Sequence, residues 1–205
     1  MTTRTIAVLS AGLSQPSSTR LLADRLAAAA GTRLQHEGHD VVSESFELRD
    51  HAGAITNHLL TGFPSEDLHL VLDSVEGAEA LIVVSPIFSA SYSGLFKSFF
   101  DVLEPDALVG KPVLIAATGG TARHSLALEF ALRPLFAYLR ATVAPTGVFA
   151  ATEDWGHGDV ADGLAARIDR AASELVGLLL GSSTAAPKDP FEDVTPFERL
   201  LAGDT

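Results

Sequence analysis

The chain has 205 residues, of which 47% are apolar, so it can bury a sizeable core in one domain and is not disordered over most of its length. Lys and Arg number 14 against 26 Asp and Glu, a net charge of −12, which disfavours nucleic acid and anionic membrane surfaces as partners. There is no cysteine, which excludes disulfides, thiolate nucleophiles, iron–sulfur clusters and Cys-based zinc sites.

Short β-type runs alternate with longer helical ones. Residues 5–9 (TIAVL) form a buried strand, and 18–34, rich in Ala, Leu and Arg, a helix. Residues 40–48 alternate like a strand with one wet face. Leu68, Val71, Leu72 and Val75 at helical spacing make 65–77 a helix. Residues 80–84 (ALIVV) are a second buried strand and 94–103 a helix; 112–117 (PVLIAA) are the next strand and 124–140 a long apolar helix. A last strand spans 143–150 and a last helix 159–180. The six-residue apolar run near the N-terminus is too short for a signal segment, and no stretch approaches a membrane span, so the expectation is a soluble, cytoplasmic protein. Continuous apolar strands separated by helices predict a parallel sheet covered on both faces. Five such units within residues 1–180 fit a flavodoxin-like, doubly wound α/β domain with strand order 2-1-3-4-5. Residues 181–205 carry three prolines, two basic and five acidic residues, and read as a frayed tail or as an arm docking Phe191, Phe197 and Leu200 on a neighbouring subunit.

In such a sheet, ligands bind beyond the carboxyl ends of the strands, near the point where strand order reverses. The loops after the first, third and fourth strands therefore carry the candidate site. The first runs Ser10-Ala11-Gly12-Leu13-Ser14-Gln15-Pro16-Ser17-Ser18-Thr19 into a helix. Its hydroxyls and free backbone N–H groups suit a phosphate, although Ser17 or Ser18 would also serve simply as a helix cap. It has neither GxGxxG nor GxxxxGK[ST], which argues against a dinucleotide pyrophosphate or a nucleotide-hydrolase phosphate loop. The second, Ser85-Pro86-Ile87-Phe88-Ser89-Ala90-Ser91-Tyr92-Ser93-Gly94, places two aromatics and small residues where a flat ring could lie. The third, Thr118-Gly119-Gly120-Thr121, lets the backbone approach a ligand closely.

The segments SPIFSASYSGLFKSFFD and ATGGTARHSLALEFALRPLF resemble the NAD(P)H-dependent FMN reductases, in particular the branch serving alkanesulfonate monooxygenases. The resemblance covers about residues 4–180. It implies that Ser10, Gln15, Ser17, Ser18 and Thr19 hold the FMN phosphate. It implies that Pro86, Ile87, Phe88, Ser91 and Tyr92 run along the ribityl chain and ring, and that Thr118, Gly119, Gly120 and Thr121 touch the ring system. Many relatives have an arginine early in the phosphate loop, where this chain has Gly12 and Leu13, leaving Arg20 as the nearby cation. Phe88 stands where Tyr is common. Both departures weaken FMN binding, which suits a protein that releases reduced flavin.

The resemblance implies FMN and NAD(P)H as cofactors, with hydride transfer from nicotinamide to flavin. It also implies a homodimer or homotetramer and a flavin-dependent monooxygenase as partner. The chemistry lies in the cofactors, so no catalytic side chain is expected. The alternatives are a flavodoxin-type electron carrier and a quinone or azo reductase with retained FMN. The seven histidines lack metal-ligand spacing, and no metal site is expected. His124 and Ser125 lack the GxSxG elbow of a nucleophile. The apolar circumference of 124–140 predicts a subunit contact through Phe130 or Phe136.

Overall fold

The computed structural model describes residues 2–155 and 163–181. Three strands rich in aliphatic residues form the centre of the sheet: β1 (Thr3–Ser10), β3 (Ala80–Phe88) and β5 (Pro112–Gly119). At the edge, β2 (Asp40–Glu47) pairs parallel with β1 and keeps much of its surface in water. Two short parallel strands, β6 (Thr142–Val143) and β7 (Val148–Ala151), both pair with β5. The order β2-β1-β3-β5-β6 is the doubly wound arrangement expected. A two-residue strand, β4 (Ser91–Tyr92), adds an antiparallel hairpin to the end of β3, so the sheet has more segments than the five predicted.

Alternation along the central strands divides the core. Ala7, Leu9, Leu81, Val83, Val113 and Ile115 pack on one face against α3 (Glu66–Gly77), α4 (Gly94–Asp101) and α5 (Arg133–Tyr138). Ile6, Val8, Ile82, Val84, Leu114 and Ala116 pack on the other against α1 (Ser18–His36) and α6 (Leu164–Leu179). Ser65 and Ser93 cap α3 and α4 by accepting from Leu68 N and Phe96 N.

Four expectations need correction. First, a 3₁₀ turn (Leu48–His51) and α2 (Ala52–Thr61) follow β2, where the sequence suggested no element. Ile55 is the only buried residue of α2, so its apolar residues fall outside the spacing that marks an amphipathic helix. Second, residues 124–140 are not one helix. A 3₁₀ turn (Ala122–His124) leads into a π-helical turn (Leu128–Leu132) and then α5. Pro134 lacks the N–H that would bond Phe130 O and clashes with that carbonyl, which accounts for the irregular turn before it. Third, the strand expected over 143–150 is split: Thr142 N and Ala144 N donate to Lys111 O and Val113 O beside and in β5, but the next donor in that register, Thr146 N, turns instead to Glu174 Oε2 at 2.6 Å. Fourth, Phe136 is fully buried in its own core and unavailable to a neighbour, whereas Phe130 is 78% exposed. The expected start of the last helix, 159–162, and the tail from 182 onward lie outside the described residues.

The β3–β4 hairpin turns through Ser89 (φ 48°) and Ala90 (φ 69°), both in the left-handed region that favours Asn and Gly. The double substitution Ser89→Asn with Ala90→Gly is expected to stabilise the protein by about 1 kcal/mol, read from the urea midpoint at constant slope. A fall in stability would contradict the strain assigned to this turn.

Candidate functional site

The β1–α1 connection is held from several sides. Ser17 is the N-cap of α1, its Oγ accepting from Arg20 N at 3.2 Å. Gly12 packs against it so tightly that a Cβ there would overlap Ser17 Oγ and lie 3.0 Å from Thr19 Cβ. Arg49 Nη1 donates to Ser14 O at 2.8 Å, while its Nη2 pairs with Glu47 at 2.7 Å. The first-turn N–H groups of Ser18 and Thr19 have no intrahelical acceptor and remain available. Thr19 Oγ1 and Thr118 Oγ1 share a buried hydrogen bond of 2.8 Å, which ties this loop to the end of β5.

The hairpin after β3 is locked through Ser85. Its Oγ donates to Pro86 O at 2.9 Å and accepts from Ser93 N at 3.0 Å. Tyr92 leans on Phe96 of α4, ring centroids 5.7 Å apart. At the end of β5, a Cβ on Gly119 would stand 2.8 Å from Phe149 Cζ, so the strand passes that ring closely. Gly120 has open space beside it. A fourth connection, the 3₁₀ turn Thr152–Trp155 after β7, reaches the same edge of the sheet.

These four connections enclose a cleft of about 530 Å³, within the usual range for a small-molecule site. It is lined by Leu13, Ser14, Ser18, Thr19, Pro86, Ile87, Phe88, Thr118, Gly119, Gly120, Thr152 and Trp155. Ser14, Ser18, Thr19, Thr118 and Thr152 supply hydroxyls, and Pro86, Ile87, Phe88 and Trp155 supply apolar surface. None of the twelve carries an ionisable side chain.

Of the fourteen site residues expected from sequence, eight line the cleft: Ser18, Thr19, Pro86, Ile87, Phe88, Thr118, Gly119 and Gly120. Six do not. Ser10 is buried at the end of β1 with its Oγ lacking a hydrogen-bond partner. Ser17 caps α1, and Gln15 and Thr121 are exposed outside the lining. Ser91 lines a separate hollow of about 380 Å³ with Arg123, His124 and Phe130. Tyr92 belongs to the aromatic cluster around Phe96. Arg20 is engaged by Asp24 at 2.7 Å and Glu47 at 3.4 Å, so it is not a free cation for a phosphate. Four lining residues were not among those expected: Leu13 and Ser14, which lie in the first candidate loop, and Trp155 and Thr152, which lie in none of the three. The signal for Trp155 and Thr152 was that the last strand ends on the same edge as the other three. Among the described residues no group of three or more His, Asp or Glu is placed to hold a metal ion.

FMN fits this donor set. Free N–H groups and hydroxyls at the α1 N-terminus suit its phosphate. The apolar strip from Pro86 to Phe88 and the open backbone at Gly120 suit a flat ring. A doubly wound sheet with an amphiphilic cleft at its carboxyl edge defines a flavodoxin-like α/β protein. The chain belongs to the NADPH-dependent FMN reductase family, which matches residues 4–156. It is 38% identical to an FMN reductase (NADPH) of Pseudomonas aeruginosa, over 87% of this chain and 94% of that one. It is also 38% identical to an NADH-dependent FMN reductase of Pseudomonas putida, over 84% and 91% of the two chains. A crystal structure of an oxidoreductase from Corynebacterium diphtheriae superposes with a TM-score of 0.85 at 45% identity, covering 89% of this chain and all of the other.

Proposed function

We propose that the protein is an NAD(P)H-dependent FMN reductase that passes reduced flavin to a flavin-dependent monooxygenase in the cytoplasm. The observation that carries this reading is the cleft, with hydroxyls and free N–H groups at one part and an apolar strip at another, in a chain of this family. Bound FMN would supply the hydride-accepting ring nitrogen, with the nicotinamide of NAD(P)H as donor. The Ser18 and Thr19 N–H groups and hydroxyls bind the phosphate. The Thr19–Thr118 bond fixes the distance between the phosphate loop and the end of β5. Pro86, Ile87 and Phe88 exclude water from one side of the ring, and Gly119 and Gly120 let the backbone approach it. Ser17 caps the helix behind the phosphate loop, and Ser91 and Tyr92 pair with Phe88 and Ile87 in the hairpin. Family membership favours a reductase over an electron carrier.

The test is NAD(P)H oxidation by purified protein with and without added FMN, after its visible spectrum has been recorded. Turnover that requires added FMN is expected. No turnover with either nucleotide in the presence of FMN would overturn the proposal.

Because none of the described lining residues is an acid or base, kcat is expected to stay nearly flat over about pH 6 to 8.5, without the bell shape of general catalysis. His124→Ala and Tyr92→Phe should each keep kcat within about tenfold, a barrier change of ~1.4 kcal/mol or less. A thousandfold loss in either variant with flavin affinity intact would refute this.

The oligomer is proposed to form through Phe130, with Leu126 and Tyr138 beside it, all exposed apolar side chains around the irregular turn and α5. Light scattering should give a dimer or tetramer for the wild type and a smaller particle for Phe130→Asp. A 21.5 kDa particle for the wild type at micromolar concentration would defeat the assignment.

A further inference from the structure

Trp155 is the chain's single tryptophan and ends the 3₁₀ turn after β7. The turn is firmly anchored. Asp154 Oδ2 accepts from Ala151 N at 2.7 Å, and Asp154 Oδ1 pairs with Arg167 of α6 at 2.6 Å. The Arg25 guanidinium of α1 lies 5.1 Å from the centre of the Trp155 ring, a cation–π contact that props the indole.

The two faces of the sheet orient the cleft. Ile87 and Tyr92 of the hairpin pack with the core cluster that includes α3, α4 and α5. Trp155 packs with the cluster that includes α1 and α6. The cleft therefore runs from the hairpin on one face to α1 and Trp155 on the other. A phosphate seated at the first turn of α1 lies at the Trp155 end.

We propose that Trp155 closes the phosphate end of the cleft and makes the site selective for a flavin mononucleotide over its adenylated dinucleotide, FAD. FAD carries an adenylate joined at the phosphate, and on this reading that group would leave the cleft past Thr152 and Trp155, which line it together with Ser18 and Thr19. The indole gives up its contact with Arg25 if it swings aside, and the turn that carries it cannot shift without breaking the bonds of Asp154 to Ala151 and Arg167. Specificity of this kind comes from a barrier to the wrong ligand as much as from contacts to the right one. The inference rests on the FMN reading above and adds the residue that sets the length of flavin accepted.

The test compares FMN and FAD dissociation constants, titrated by flavin fluorescence without nicotinamide nucleotide, for the wild type, Trp155→Phe, Trp155→Ala and Arg25→Ala. The wild type should prefer FMN by about tenfold or more, and Trp155→Phe should keep most of that preference. Trp155→Ala should narrow the preference by about fivefold or more, through tighter FAD binding rather than weaker FMN binding. Arg25→Ala keeps the indole but removes its prop, and should narrow the preference by about twofold or more. Should Trp155→Ala fail to fold, Arg25→Ala carries the test. An unchanged preference in the folded variants, a narrowing caused only by weaker FMN binding, or a wild type that binds both flavins equally would overturn the proposal. A wild type that binds no FMN would overturn the FMN reading itself and this inference with it.

Discussion

Phe96→Ala is expected to lower the free energy of unfolding by about 3–5 kcal/mol, the usual cost of truncating a fully buried aromatic. The Phe96 side chain is fully buried, with ring centroids 4.8 Å from Phe100, 5.7 Å from Tyr92 and 6.2 Å from Phe136. It sits in the first turn of α4, immediately after the Ser93 cap, and supports Tyr92 from below. Tyr92 pairs with Ile87 across the hairpin, and Ile87 lines the cleft. The cavity should thus loosen the hairpin as well as the core, so FMN affinity should fall along with stability. Phe96→Leu, which keeps much of the volume, should cost less than half as much. Urea unfolding followed by circular dichroism measures the loss, and a loss below about 1 kcal/mol would mean that the cluster repacks around the gap.

The parts of this architecture that were legible in the sequence are those where burial acts on a regular period. Residues 80–84 and 112–117 are uninterrupted aliphatic runs, and they became the two-sided central strands of the sheet. Leu68, Val71, Leu72 and Val75 marked α3 because all four face the core. Loops that follow such strands are placed by topology, which is why eight expected residues meet in one cleft. The misses share a different cause. Pro134 removes one backbone donor and Glu174 draws another, Thr146 N, away from β5, and one donor is enough to distort a helix or split a strand without changing the apolar pattern around it. Ser17 and Ser18 are indistinguishable by type, yet the cap geometry turns Ser17 toward Arg20 N and leaves Ser18 to the cleft. Arg20 stood nearest to the expected phosphate in sequence, but Asp24 one turn on and Glu47 at the end of β2 claim it. Trp155 reaches the site through a loop whose own sequence carries no ligand-binding signature.

Gly12→Ala is expected to cost about 2–3 kcal/mol of stability and to weaken FMN on the order of a hundredfold, although the change adds one methyl group. Gly12 does not need a left-handed backbone; what it needs is space. Its Cβ would overlap Ser17 Oγ, so Ser17 must rotate away and surrender the cap on Arg20 N, at about 1 kcal/mol. The same Cβ would press on Thr19 at 3.0 Å, and Thr19 cannot yield without disturbing its buried bond to Thr118. The loop and the strand end that enclose the cleft would then move apart, which is why binding should suffer more than stability alone predicts. A second substitution separates this account from general damage. Ser17→Gly removes the side chain that the added methyl group would strike, and a glycine N-cap costs only about a few tenths of a kcal/mol. The double variant Gly12→Ala with Ser17→Gly should therefore recover about half or more of the lost stability, a favourable coupling of ~1 kcal/mol in the mutant cycle. Recovery should be incomplete, because the contact with Thr19 remains. Additive losses in the double variant would show that Gly12 is required for a reason other than its closeness to Ser17.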